Sequence, residues 1–139
     1  MKIEQKGQWV LYSSKQVSVP DTSGKWMYFF DDQSIAEKLC KQAIDENIVD
    51  ICKHTDLTAS GTPEGVICFY ADGSNKGEVS RIVRWMVTNN LVRRTKAGKL
   101  YNISFKFDDQ TRAGEYGAGY EGQIKLADIM DLTTGEFLS

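Results

Sequence analysis

A chain of 139 residues, 41 % hydrophobic and 26 % charged, has the size and composition of one soluble domain spanning residues 1–139. Its formal net charge is -2, from 17 basic and 19 acidic residues, and its isoelectric point near 5.4 disfavours general binding to double-stranded DNA. No window approaches the roughly 20 apolar residues that cross a bilayer. Residues 1–6 lack the apolar core of a secretory signal, so a cytoplasmic protein with no membrane role is expected.

The opening segment, residues 8–12, reads as a strand or an ordered arm. Pro20 through Gly24 is turn chemistry, because proline fixes φ and glycine accepts positive φ. It leads into an aromatic strand over residues 25–30, with Trp26, Tyr28 and Phe30 on one face and Met27 and Phe29 on the other. Ser34 and Glu37 have the spacing of a capping box, and Ala36, Leu39, Cys40 and Ala43 recur at helical spacing as far as Asn47. Residues 48–52 read as the next strand, 55–64 as a polar loop, and 66–70 as a continuous apolar run suited to a central strand.

A turn at residues 72–75 opens a second helix, with Asn75 and Glu78 again at capping-box spacing. Val79, Ile82, Val83 and Met86 form its core stripe, Arg81 and Arg84 lie on the other side, Trp85 sits near the boundary, and Asn89 and Asn90 mark the end. The pattern then changes to period two. Residues 91–95 and 100–107 flank Lys96, Ala97, Gly98 and Lys99 as a hairpin, with Tyr101, Ile103, Phe105 and Phe107 opposite Asn102, Ser104 and Lys106. A glycine-rich loop follows at 113–120, then a last strand at 123–127 and a turn at 131–136. This order predicts an α+β fold, a curved and mostly antiparallel sheet with helices packed on one face.

Cys40, Cys52 and Cys68 are odd in number and form no C-x-x-C pair, and His54 is the single histidine. Zinc spacing is therefore missing, so buried free thiols and no metal or other cofactor are expected. The charge is less even than its total. Between Val79 and Phe107 there is no Asp or Glu, yet Arg81, Arg84, Arg93, Arg94, Lys96, Lys99 and Lys106 all occur there. A segregated basic region can focus positive potential on an anionic ligand.

Several phrases resemble one family. Residues 24–29, a Gly-Lys-Trp opening onto an apolar strand, are similar to the opening of the basophilic-leukaemia-expressed protein family. Residues 67–70 followed by Glu78, Val79, Ile82 and Val83 resemble its strand-then-helix unit. Residues 105–116 resemble its signature YK-x-D-x-x-T-x-x-G-x-Y, with Phe105 in place of the usual Tyr. The acidic position is Asp108 or Asp109, and spacing favours Asp108. The resemblance covers roughly residues 24 to 116 and implies a fold like that of the translation initiation factor 4E cap-binding proteins. The family is also linked, more loosely, with phosphothreonine lyases.

A cap-like site needs two rings around a base, a carboxylate, and Lys or Arg for phosphates. Trp9, Trp26 and Trp85 supply rings, although no sandwiching pair aligns, and core packing is the competing reading of Trp26. In the 106–116 motif, Lys106 and Arg112 could grip phosphate while Thr111 and the loop backbone add donors and Tyr116 anchors the rim. The competing reading there is a turn in which Asp108 or Asp109 caps, Arg112 pairs with it and Gly114 permits the bend.

The expected function is thus a binding module on the concave, polar face of the sheet. Its partner would be an anionic ligand (phosphate-bearing, nucleotide or RNA) or a protein. Lys106, Arg112, Tyr116, Thr111, Arg81, Arg84 and Trp26 are the candidate ligand contacts. Two alternatives stand beside it. One is a lyase-type enzyme using Lys53 and His54, although neighbours in a strand face apart and His54 is expected in solvent at a strand end. The other is a protein-interaction module built on an exposed Trp9.

Overall fold

The computed structural model of the protein describes residues 1–14, 23–107 and 124–138. Among these residues the strands are β1 (Lys2–Lys6), β2 (Trp9–Ser13), β3 (Ser23–Phe30), β4 (Ile51–Thr55), β5 (Gly65–Asp72), β6 (Ser104–Phe107) and β7 (Ile124–Lys125). The helices are α1 (Gln33–Asp45), the single turn α2 (Leu57–Ser60) and α3 (Lys76–Thr88), and a 3-10 turn follows at Leu126–Asp128. The strands form one antiparallel sheet in the order β1-β2-β4-β5-β3-β6-β7, which puts the apolar β5 at its centre. The α+β class with an antiparallel sheet is the architecture found.

Register explains where the core lies. Tyr12, Cys52, Phe69 and Trp26 stand side by side across β2, β4, β5 and β3. Period-two alternation sends all four side chains to one face, and all four are buried. The long helices lie on that face. The Cys52 thiol donates to the Cys40 carbonyl of α1 at 3.7 Å, the Trp26 indole N–H donates to the Val79 carbonyl of α3 at 3.1 Å, and Trp85 meets Phe69 edge to face at 5.5 Å. The stripes foreseen on both helices, Ala36, Leu39, Cys40 and Ala43 and then Val79, Ile82, Val83 and Met86, are all buried.

Both helices stop in the same way. Asn47 and Asn90 take left-handed φ values of 57° and 58°; Ile48 N–H returns to the Ala43 carbonyl and Leu91 N–H to the Met86 carbonyl. That is the Schellman arrangement with asparagine in place of the usual glycine. It also corrects the strand expected at residues 48–52. Ile48 and Val49 are used up in closing α1, so β4 starts only at Ile51 and runs on through His54.

Other differences have local causes. The first cap is Asp32, two residues before the expected Ser34; its carboxylate accepts from the Ser34 N–H and hydroxyl, which hold its pKa below the ordinary value. Asn75 caps α3 as expected, but the Glu78 carboxylate accepts from the Asp72 N–H instead of reaching back to the cap residue. Strand β1 is absent from the sequence expectation because almost all of it is exposed and no apolar alternation marks it. It joins β2 through a two-residue turn in which Gly7, with φ 59°, supplies the backbone twist that hairpin turns require.

Residues 55–64 hold α2, capped by Asp56, and are not entirely loop. The hairpin expected over 91–95 and 100–107 is reduced to one bridge between Arg94 and Leu100. Leu91 and Val92 bury beside the end of α3, and β6 pairs with β3. The strand expected at 123–127 is confined, among the described residues, to β7 before the chain turns into the 3-10 segment. The turn at 131–136 is present, with Asp131 accepting from the Thr133 and Thr134 N–H groups.

Candidate ligand-binding face of the sheet

The face of the sheet turned away from α1 and α3 can be read row by row from the register. One row runs Lys6, Trp9, Thr55, Val66, Phe29. The next runs Glu4, Leu11, Lys53, Cys68, Met27, and the third brings Tyr70, Lys25 and Lys106 together. Lys2, beyond Ser13, and Lys125, beyond Ser104, complete the lysines of this parity. Against Lys2, Lys6, Lys25, Lys53, Lys106 and Lys125 the described strands set only Glu4 and Asp72 on the same face. On the described strands six lysines thus stand against two carboxylates on one side of the sheet, in a chain of net charge -2.

The cations are interleaved with rings. The Lys53 ammonium lies 4.1 Å from the Trp9 ring centre and 5.8 Å from that of Tyr70, and the Lys25 ammonium lies 5.8 Å from Tyr70. Trp9 also borders a groove of about 420 Å³ whose far side is Phe29, with Thr55 and Val66 as floor and Ser60, Thr62 and Glu64 as wall. Phe29 is 56 % exposed, unusual for a phenylalanine within a strand and a mark of a surface that solvent reaches. The floor is rigid: the Thr55 hydroxyl accepts from the Val66 N–H at 3.0 Å and ties β4 to β5.

The residues singled out in the sequence do not form one site. Lys106 is on this face beside Lys25. Trp26 is not: it is 0 % exposed on the opposite side, its N–H is used by α3, and it is a core residue. Arg81 and Arg84 lie on the outer side of α3, across the sheet from Lys106. Thr111, Arg112 and Tyr116, together with Asp108, Asp109 and Gly114 of the same motif, lie outside the described residues. The basic segment as a whole is dispersed, for Arg94 donates to the Gly98 carbonyl within its own turn and Arg93 borders a separate small pocket with Asp31, Asp32 and Glu64.

His54 corrects another expectation. It is completely buried, not at a solvent-exposed strand end, because β4 extends to Thr55 and turns it inward. Lys53 faces the open side, so these two cannot converge on one substrate. Within the core, His54 Nδ1 is 2.9 Å from the Thr55 carbonyl and Nε2 is 3.0 Å from the Tyr12 hydroxyl. A carbonyl only accepts, so Nδ1 carries the proton and the Tyr12 O–H donates to Nε2. Burial pushes the Tyr12 phenol pKa up, which keeps that donor protonated. Replacing Tyr12 by Phe leaves the buried Nε2 without a donor; the expected loss is about 1–3 kcal/mol of unfolding free energy, read from the urea midpoint at unchanged m.

None of the three cysteines is in a disulfide, and all three are buried, as expected of small core residues. Contact with Cys52 and burial raise the Cys40 thiol pKa, so it stays protonated and unreactive. Among the described residues no group of His, Cys, Asp and Glu could hold a metal ion, and no helix is long and apolar enough to cross a membrane. No family model, curated protein or solved structure matches the chain.

Proposed function

We propose that the protein is a binding module for a phosphate-bearing ligand on the open face of its sheet, and that single-stranded RNA is the ligand class that fits best. The observation that carries this is Lys53, whose ammonium sits between the rings of Trp9 and Tyr70 on a surface of six lysines. Single-stranded nucleic acids are held by stacking bases on aromatic side chains while lysines or arginines follow the backbone. An aromatic–lysine sheet face provides both: a base placed between Trp9 and Phe29 leaves its phosphate close to Lys53, and the strand can continue toward Lys25 and Lys106. A duplex offers its bases no such platform, and the acidic total charge keeps general electrostatic attachment weak.

Likeness to the basophilic-leukaemia-expressed family and to the factor 4E-like fold belongs to the same proposal. What supports it is an antiparallel sheet with its long helices on one side and the other side left for a ligand.

The test is fluorescence anisotropy with a short labelled single-stranded RNA over a range of salt. Trp9→Ala should weaken binding by roughly 5- to 150-fold, the worth of about 1–3 kcal/mol for one stacked base. Lys53→Gln should lower the slope of log K against log salt by about 0.7, the share of one phosphate on a single strand. Equal affinity for duplex RNA, or single-strand binding indifferent to both substitutions, would sink the reading.

A further inference from the structure

Independently of the open face, a second anion site is built on the outer side of α3. We propose that the pocket formed by Gly77, Ser80, Arg81, Arg84 and Phe137, about 270 Å³ in volume, binds a phosphate group, free or as a monoester. Arg81 and Arg84 are three apart on one helix, and so project side by side. Each is held in orientation by a neighbour that is not an acid. The Arg81 Nε donates to the Ile48 carbonyl at 3.2 Å, which leaves its two terminal nitrogens for a ligand. The Arg84 guanidinium lies over the Phe137 ring at 4.3 Å, a contact that uses the cation's face and spares its in-plane N–H donors.

The charges are not already answered. Among the described residues neither arginine enters an ion pair. Glu78, the acid in the first turn of α3, has its carboxylate engaged by the Asp72 N–H. Two arginine forks and the Ser80 hydroxyl lining one pocket offer charge-assisted donors of the kind that hold phosphate oxygens. Gly77 adds no side chain to the rim, so the pocket stays open on the side of the first helical turn.

The test is isothermal titration of the full chain with inorganic phosphate and with O-phosphoserine, at ionic strength matched by chloride. Binding of either, weakened at least about tenfold by Arg84→Lys and by Arg81→Lys, is the expected result, since lysine keeps the charge but loses the fork. The tighter of the two probes then names the source of the phosphate. Lys41→Gln, an exposed charge on α1, should bind like the unsubstituted chain. Phe137→Leu guards against a misfolded arginine variant: it leaves both cations in place, frees the Arg84 plane, and should weaken binding roughly threefold by lost pre-orientation. No binding of either probe, or binding by both lysine variants as tight as that of the unsubstituted chain, overturns the proposal.

Discussion

Trp26→Ala should cost about 3–5 kcal/mol, the usual range for deleting a large buried aromatic, and so remove a large part of the roughly 5–15 kcal/mol that holds a domain of this kind folded. The side chain is 0 % exposed at the point where β3, α3 and β6 meet. Its indole N–H reaches the Val79 carbonyl, and its ring meets Phe105 edge to face at 5.6 Å. Three losses therefore coincide: transfer of a large apolar surface, a cavity that β-sheet backbone on one side cannot collapse into, and a tethered donor. Urea unfolding followed by far-UV circular dichroism should show the midpoint fall with m retained. A drop below about 1 kcal/mol would mean that Trp26 is not a hub of the core.

Trp85 gives the contrast that isolates the hydrogen bond. It too is buried, against Phe69, but its Nε1 is a buried donor with no hydrogen-bond partner among the described residues. In a fully apolar setting such an orphan is a standing cost of about 1–3 kcal/mol. Substituting phenylalanine at Trp85 removes that cost together with some packing, whereas at Trp26 it removes packing and a satisfied bond. The two tryptophans have the same residue type, similar burial and different partners.

Much of the fold could be read from the chain because it rests on local signals. The stripe Val79, Ile82, Val83, Met86, the cap at Asn75 and the aromatic alternation of Trp26, Tyr28 and Phe30 each depend on residues within one or two turns of one another. What could not be read depends on register. Lys6, Lys25, Lys53 and Lys106 come from four separate strands, and nothing within any one strand says that they share a face with Trp9 and Tyr70. The basic segment 79–107 is dense along the chain, yet folding sends Arg81 and Arg84 to one side of the sheet and Lys106 to the other. His54 was hidden for a related reason. A three-residue shift of β4 along the chain turns a strand end into a core position, and that shift is set by the Asn47 helix stop.

Phe105→Ala carries the second large effect, again about 3–5 kcal/mol, and it couples the core to the proposed face. Phe105 is 0 % exposed and sits between Trp26 and Phe107, edge to face with both. It is the inward residue next to Lys106, on a strand that pairs with β3, among the described residues, at Gly24 with Phe107 and Lys25 with Lys106. The buried ring packs β6 against β3 through its contact with Trp26. Gly24 shows how close the approach is: a Cβ there would lie 2.6 Å from the Lys106 carbonyl oxygen. Losing the ring should therefore loosen the Lys25–Lys106 neighbourhood before the central strands β4 and β5 are affected. Hydrogen exchange should show protection falling first at Lys25 and Phe107 and least at Cys52 and Phe69. If protection fell evenly across the sheet, β6 would be part of one cooperative unit with the centre, and the ring would not be its particular anchor.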